Sequence, residues 1–263
     1  MLLYGGMFSV YYTVRHKTMR QDKKISILLC AHNEEKVIER TLRSLKEQKC
    51  DFHYEIIMVD NQSSDRTREI AGPYVDEICV SHIRGKVPSL QVGVRFCSGD
   101  IVATADADTI YRHDWLKHID EGFASNSATI LVYGPSCIDA SQSTGGKLLS
   151  NGFAQLSLAC GVVNSLGFNM AIRRQEFVAI LQKIPPFAFS GWGIGTQVLR
   201  DYGRQSVVYH PRMVVPKCMR RITGVGYSRS MVRWITEWGR LALGGNLSMR
   251  ENQYFGFHDD HES

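Results

Sequence analysis

From Lys24 onward, short apolar runs alternate with amphipathic stretches, and this alternation limits the fold more than any other feature of the chain. The runs KISILLCA, YEIIMVD and DIVATA are six to eight residues long, and segments with helical spacing of apolar residues separate them. That pattern is typical of βαβ units, which build a mostly parallel sheet. The sequence therefore predicts an α/β protein with a Rossmann-like central sheet flanked by helices.

The predicted domain organisation has three parts. Residues 1–23 form an N-terminal extension, residues 24–222 a single domain with donor and acceptor lobes, and residues 223–263 a basic aromatic helix and tail. The apolar stretch MLLYGGMFSVYYTV spans only 14 residues and carries its charges after it. It fits neither a membrane span nor a signal peptide well, so we expect a peripheral extension rather than a membrane-inserted anchor.

Cysteine spacing and charge distribution restrict the function classes. The seven cysteines are scattered and form no C-x-x-C pair, which indicates reduced residues of a cytoplasmic protein. Eight basic residues and one acidic residue lie between Arg212 and Arg250. No nucleic-acid-binding motif accompanies this charge, so we expect contact with a membrane surface rather than with nucleic acid.

Polar clusters follow three of the predicted strands: AHNEE at 31–35, DNQSSD at 60–65 and DAD at 106–108. Each cluster alone suits a helix cap, with Ser63 or Ser64 as the expected N-cap of the second helix. Together they predict one ligand site at the carboxyl edge of the sheet. Two neighbouring carboxylates, Asp106 and Asp108, indicate a bound cation, a proton-sharing pair or a turn that tolerates both.

The segments ILLCAHNEE, IIMVDNQSSDRT, GKVPSLQVGV, SGDIVATADADT and GFNMAIRRQEF resemble the family 2 glycosyltransferases over roughly Lys24 to Gly203. The resemblance implies the GT-A fold and an inverting hexosyltransferase. It also implies a nucleoside diphosphate sugar as donor, with a UDP-sugar favoured, and a glycan or lipid-linked acceptor. The absence of a G-x-G-x-x-G after the first strand disfavours a dinucleotide-dependent oxidoreductase.

The resemblance also assigns residues. The DAD segment matches the family's D-x-D motif, so Asp108 is expected to ligate Mn²⁺ or Mg²⁺, with Asp106 facing the ribose or the outer shell of the metal. Such a cation would neutralise the diphosphate leaving group. The expected nucleotide-sugar-binding residues are Ala31, His32, Asn33, Glu34, Asp60, Asn61, Gly85, Lys86, Asp106, Ala107, Asp108 and Asn169. Lys86 is either a phosphate partner or a solvated surface lysine.

The chain departs from the family where the general base should lie. The family writes G-W-G-x-E-D here, whereas FSGWGIGTQVLRDYG, expected to be a glycine-rich loop leading into a short helix, places Gly195 and Thr196 at the acidic positions. Counting back from Gly203 places Gly191 and Trp192 there instead, so neither alignment supplies a carboxylate. The catalytic base is therefore unassigned.

Other residues of this half of the chain remain as weaker candidates. The base could be supplied by Asp201, Asp139 or His210, although each is expected to be structural. Trp192, Arg233 and Trp234 are candidate acceptor-binding residues, the last two within SMVRW, which is close to a family motif and equally typical of an amphipathic helix. The alternative function is a catalytically inactive GT-A module that binds a nucleotide sugar or a partner.

Overall fold

The computed structural model describes residues 25–137, 144–184, 190–216, 235–236 and 238–244. The strands are β1 (Ile25–Ala31), β2 (Tyr54–Asp60), β3 (Glu77–Val80), β4 (Ile101–Asp106), β5 (Leu131–Tyr133), β6 (Ser136–Cys137), β7 (Met170–Arg173), β8 (Val207–Tyr209) and β9 (Val215–Pro216). The helices are α1 (Ile38–Lys46), α2 (Thr67–Ala71), α3 (Lys86–Gly93), α4 (Trp115–Ala124), α5 (Thr144–Ala159), α6 (Arg174–Lys183) and α7 (Ser190–Tyr202).

Seven strands form a mostly parallel central sheet in the order β3-β2-β1-β4-β7-β5-β8. Only β7 runs against its neighbours, β4 and β5, whereas β5 and β8 pair in parallel. A separate two-stranded sheet pairs β6 with β9. The predicted α/β architecture with a Rossmann-like sheet is confirmed.

Both faces of the sheet are covered, which explains why its strands are apolar without interruption. Along β1, Ile25, Ile27 and Leu29 face one buried core, which also receives side chains of α1 and α4. Leu28 points to the opposite core, which is closed by α3, α6 and α7. Because successive side chains of a strand point to opposite faces, β1 packs against helices on both faces of the sheet.

The order of the strands places a crevice at the carboxyl end of β1. The chain passes from β1 to β2 and β3 on one side and then returns to β4 on the other. Such a reversal is the point at which open α/β sheets bind ligands. The register sets Ala31 beside Asp60 and Cys30 beside Asp106, so two of the predicted polar clusters flank the end of β1.

Two local predictions were wrong. The glycine-rich segment is not a loop, because helix α7 begins at Ser190 and runs through it. A Cβ atom on Gly191 would lie 2.4 Å from the Ser165 oxygen, and one on Gly195 would lie 2.6 Å from a Val163 methyl group. Gly191 lets α7 approach the 165–167 backbone closely and Gly195 makes room for the Val163 and Ser165 side chains, and this packing outweighs the low helix propensity of glycine.

The second wrong prediction concerns the start of α2. The helix begins at Thr67, with Arg66 rather than Ser63 or Ser64 at the N-cap position. The two serines lie in the preceding loop, where they bond Asn33. The serines therefore form tertiary hydrogen bonds with the other loop instead of capping α2.

Near the C-terminus, residues 235–236 and 238–242 are helical. The Trp238 indole donates a hydrogen bond to the Ser157 hydroxyl at 3.0 Å, which joins this segment to α5. Among the described residues, no helix combines the length and the apolar character that crossing a bilayer requires.

Candidate functional site

An ion pair marks the edge at which β4 ends. The Lys86 ammonium group, at the start of α3, donates to the Asp106 carboxylate and, at 3.2 Å, to the Ala105 carbonyl. The Lys86 and Asp106 side chains are 17% and 27% exposed. The interpretation of Lys86 as a solvated surface lysine is therefore wrong, since its charge lies at the strand end beside the first aspartate of DAD.

Tyr111 fixes the turn that contains Asp106 and Asp108. The backbone N–H of Asp106 donates to the Tyr111 hydroxyl at 3.0 Å, and that hydroxyl donates to the Phe168 carbonyl at 3.0 Å. Burial, and then the nearby Asp106 charge, raise the pKa of Tyr111 well above 10, so the phenol remains a donor. The Ala107 carbonyl accepts from Thr41 at 2.8 Å. The backbone of DAD is thereby fixed while Asp108 stays partly exposed.

The loops that follow β1 and β2 exchange hydrogen bonds in both directions. The Ser63 hydroxyl accepts from the backbone N–H of Asn33 at 3.0 Å, and the Asn33 side chain accepts from the N–H of Ser64 at 2.8 Å. Glu35 and Asp65 continue the contact: the Glu35 N–H donates to Asp65 at 3.0 Å. Asn33 adopts a φ of 51°, a left-handed conformation that asparagine tolerates. We refer to the loops 31–35 and 60–67 as the paired loops.

The residues of the paired loops differ in their burial and in the contacts that stabilise their charges. Burial opposes ionisation of Asp65, but hydrogen bonds from Thr67 and from the Glu35 backbone hold its pKa below the usual range. The backbone N–H of Glu34 donates to Thr67 at 2.8 Å. His32 lies on the other side, with Nδ1 2.7 Å from the Asn61 carbonyl. Every member of the first predicted cluster is thus tied to the second.

Asp60 and Asn61, at the end of β2, are almost completely buried. The Asp60 carboxylate accepts the Ser63 N–H at 3.2 Å and lies 3.5 Å from Arg68. The Asn61 amide donates to the Gly85 carbonyl at 3.1 Å and to Ser89. Asn61 therefore fixes the turn that begins α3 and carries Lys86.

The Cys30 thiol lies at the same edge. Burial raises its pKa to about 11, with Lys86 opposing and Asp106 adding to the shift. The thiol is therefore protonated at neutral pH.

Asn169, expected to line the donor sugar, lies fully buried beneath the site. Its side-chain oxygen accepts from the Trp115 indole at 3.0 Å, and its amide nitrogen donates to the carbonyls of Pro135 at 2.9 Å and Met213 at 2.8 Å. In this arrangement Asn169 joins β7, α4 and the segment after β8. It acts as a support, because all three contacts are internal.

The two described candidates for the general base lie away from Asp106. Asp201 bonds Lys183 at 2.8 Å and Gln197 at 2.9 Å near the end of α7. His210 follows β8, which is three strand spacings, or about 14 Å, from β4. Thr196 is buried and accepts the N–H of Val163 at 3.1 Å, so the positions of the missing acids are used for packing.

Trp192 is the acceptor-side candidate that lies within the described residues. Trp192 is 6% exposed and packs with Val162 and Leu241. Asp139, a candidate for the general base, and Arg233 and Trp234 lie outside the described residues. Tyr111 and Ser89 were not anticipated from the sequence, since a single buried hydroxyl leaves no periodic or motif signal.

Comparison with known proteins agrees with this architecture. The model of glycosyl transferase family 2 matches residues 26–202. The chain is 30% identical over 128 residues to a probable glycosyltransferase, YdaM, of Bacillus subtilis, covering 41% of this chain and 30% of the relative. It is 30% identical over 117 residues to a dolichyl-phosphate beta-glucosyltransferase of Mus musculus, covering 39% and 36%. The matched segments thus span about a third of the curated relatives.

A solved structure with a similar fold is glucosyl-3-phosphoglycerate synthase of Mycobacterium tuberculosis in complex with Mn²⁺, UDP and glucosyl-3-phosphoglycerate. The TM-score is 0.59 at 23% identity, and the match covers 86% of this chain and 82% of that one. The sheet order and the site at its carboxyl edge define a GT-A-type α/β domain. The chain belongs to glycosyl transferase family 2.

Proposed function

We propose that the protein is a metal-dependent inverting glycosyltransferase that moves a hexosyl group from a UDP-sugar to a glycan or lipid-linked acceptor. The observation that carries this proposal is the convergence of Asp60, Lys86 and Asp106 at the switch point of the sheet. The family membership and the UDP and Mn²⁺ of the Mycobacterium tuberculosis complex support it.

In this proposal the paired loops hold the nucleotide. Asp60, Asn61 and Glu34, all buried, would form the base of the pocket, and His32 and Asn33 would line its rim. The mutual hydrogen bonds of the paired loops support this role, because they order the pocket before a nucleotide arrives. Gly85 and Lys86 would face the diphosphate. The positive charge of the Lys86 ammonium group would stabilise the negative charge of the diphosphate.

The donor set fits a hard divalent cation. Asp106 and Asp108 offer carboxylate oxygens at a partly exposed edge, and oxygen ligands are those that Mn²⁺ and Mg²⁺ prefer. When bound, the cation would neutralise charge on the departing diphosphate. Lys86 would act beside it, exchanging its pairing with Asp106 for an oxygen of the substrate.

The residue that takes the proton from the acceptor hydroxyl is left unassigned. Asp201 and His210 are both engaged in contacts remote from Asp106, as described above. Trp192, Arg233 and Trp234 are proposed for the acceptor side. We also propose a cytoplasmic location with peripheral membrane contact, supported by the exposed Ile235 and Leu243 side chains and by the basic sequence around them.

A second candidate function is a GT-A module that binds a nucleotide sugar without turnover. The observation that favours it is the burial of Gly195 and Thr196 against Val163 and Ser165, where the family carries acids. Binding and catalysis must therefore be measured separately.

Calorimetric titration of the purified chain with UDP, with and without Mn²⁺, tests the proposal. We expect Mn²⁺-dependent binding that Asp108→Ala abolishes and that the matched control Asp201→Ala retains. Asp108→Ala with unchanged Mn²⁺-dependent affinity would refute the donor site. If the unaltered chain does not bind UDP, a panel of GDP, CDP and TDP decides whether another nucleotide is used.

Turnover is measured by UDP release from UDP-sugars across a panel of glycan and lipid-linked acceptors. Transfer supports the enzyme, whereas nucleotide binding with neither hydrolysis nor transfer supports the inactive module.

A further inference from the structure

Two histidines and a glutamate form a cluster toward the β8 end of the sheet, away from the paired loops that follow β1 and β2. His118 and Glu121 lie one turn apart on α4, and His210 follows β8. One ligand atom from each residue can be chosen so that all three lie within 4.8 Å of one another. We refer to His118, Glu121 and His210 as the His–Glu–His cluster.

The distances within the cluster match the edges of a metal coordination sphere. Nδ1 of His118 lies 3.0 Å from Oε2 of Glu121, and Nε2 of His210 lies 3.4 Å from the same oxygen. Ligand atoms about 2.0–2.2 Å from a tetrahedral Zn²⁺ are separated from one another by roughly 3.3–3.6 Å. The two imidazole rings stack with their centroids 5.1 Å apart.

The surroundings of His118 supply an outer contact of the kind that metal-binding histidines have. The Asp114 carboxylate lies 3.5 Å from Nε2, the ring nitrogen that points away from Glu121. A carboxylate behind a histidine fixes the orientation of the ring and raises its basicity toward a metal. Both histidine side chains are largely buried, at 10% and 13% exposure, which limits the entropy lost on binding.

A guanidinium group competes for the same carboxylate. Nη2 of Arg212 lies 2.8 Å from Oε2 of Glu121, and the Arg212 side chain is 68% exposed. Because such exposed ion pairs are weak, the arginine can turn into solvent when a dication binds. Its removal should then strengthen metal binding.

We propose that the His–Glu–His cluster binds a borderline transition-metal ion, Zn²⁺ in the first instance, with solvent completing the coordination. Two imidazoles and one carboxylate are a ligand set typical of Zn²⁺ and Co²⁺, whereas Mg²⁺ prefers oxygen alone. The ion would join α4 to the segment after β8, and the site is separate from Asp106 and Asp108. The proposal is independent of the donor-site chemistry.

The first test follows Co²⁺ binding to the full, chelator-treated chain by its visible absorption, with Zn²⁺ as the competitor. We expect a Co²⁺ band that stoichiometric Zn²⁺ removes and that Mg²⁺ leaves intact. Glu121→Gln and His210→Gln should each weaken Co²⁺ at least 100-fold, because losing a ligand exceeds the 10- to 100-fold cost of losing an outer contact. Asp108→Ala should leave the affinity unchanged.

Arg212→Gln is the matched variant, and its effect on Co²⁺ affinity should be in the opposite direction. It should tighten Co²⁺ by about 2- to 5-fold, the value of an exposed ion pair. The absence of a Co²⁺ band in the unaltered chain would overturn the proposal. So would a band that survives in both Glu121→Gln and His210→Gln, since the metal would then occupy other side chains among the chain's nine histidines and seven cysteines.

A second measurement needs no variant. Zn²⁺ bound to the native cluster should raise the Tm of the unaltered chain, because it stabilises the folded state by mass action. A Tm that Zn²⁺ does not raise would contradict the proposal even if a variant failed to fold.

Discussion

The close packing of α7 predicts that Gly191→Ala destabilises the protein. The added Cβ atom would lie 2.4 Å from the Ser165 oxygen, 2.5 Å from the Gly167 nitrogen and 2.9 Å from the Leu166 carbonyl carbon. All three are backbone atoms, so no side chain can rotate away. Either α7 or the 165–167 backbone has to move by more than half an ångström.

The expected magnitude comes from two opposing contributions. Overpacking of this kind costs about 1–3 kcal/mol. Alanine returns at most about 1 kcal/mol through its higher helix propensity, and less near a helix start. The net loss of about 1–2 kcal/mol corresponds to a fall in Tm of roughly 2–8 °C for a domain of this size.

Urea denaturation followed by far-UV circular dichroism measures the effect. Gly152→Ala in α5 is the matched control, because nothing lies within 4 Å of its added Cβ atom. That control should be neutral or gain up to about 1 kcal/mol from helix propensity. A Gly191→Ala protein as stable as the unaltered chain would refute the packing of the glycine-rich helix on residues 165–167.

Two further predictions concern stability. Asn169→Ala leaves the Trp115 indole and the Pro135 and Met213 carbonyls without their partner, so we expect a loss of about 3 kcal/mol in urea denaturation; a loss below about 1 kcal/mol would argue against a supporting role. Burial raises the pKa of Cys79 to about 12 and that of Cys30 to about 11. The folded chain therefore keeps thiol protons that the unfolded chain releases above pH ~8.5, and the free energy of unfolding should fall as pH rises beyond that value, by up to about 1.4 kcal/mol per thiol and pH unit. Cys79→Ala should reduce this slope, and a flat profile from pH 8 to 10 would contradict the assignment.

The sheet was predictable because its signal is local. The strands YEIIMVD and DIVATA each contain a short apolar run that is buried in the structure. Strand β2 has the predicted bounds of Tyr54–Asp60. The convergence of the polar clusters followed from parallel strands ending at one edge. The pairing of Lys86 with Asp106 could not be predicted in this way. It depends on the orientation of α3, which Asn61 fixes through its hydrogen bond to the Gly85 carbonyl, 24 positions further along the chain.

The helix over the glycine-rich segment could not be predicted for a similar reason. Glycine ranks low in helix propensity, and the benefit of a missing Cβ atom exists only when another backbone lies against it. The His–Glu–His cluster shows the same limit, since His118 and His210 are separated by 91 intervening positions and four strands in the sequence. Residues brought together by tertiary structure leave no trace in local spacing.

The paired loops have a consequence for how this edge can change during evolution. Side chains of each loop satisfy backbone groups of the other, as Ser63 and Asp65 do for Asn33 and Glu35, and as Asn33 does for Ser64. A substitution in one loop therefore leaves a polar group unsatisfied in the other, and its effect depends on the residue present there. Changes at this edge should therefore require coordinated substitutions in both loops.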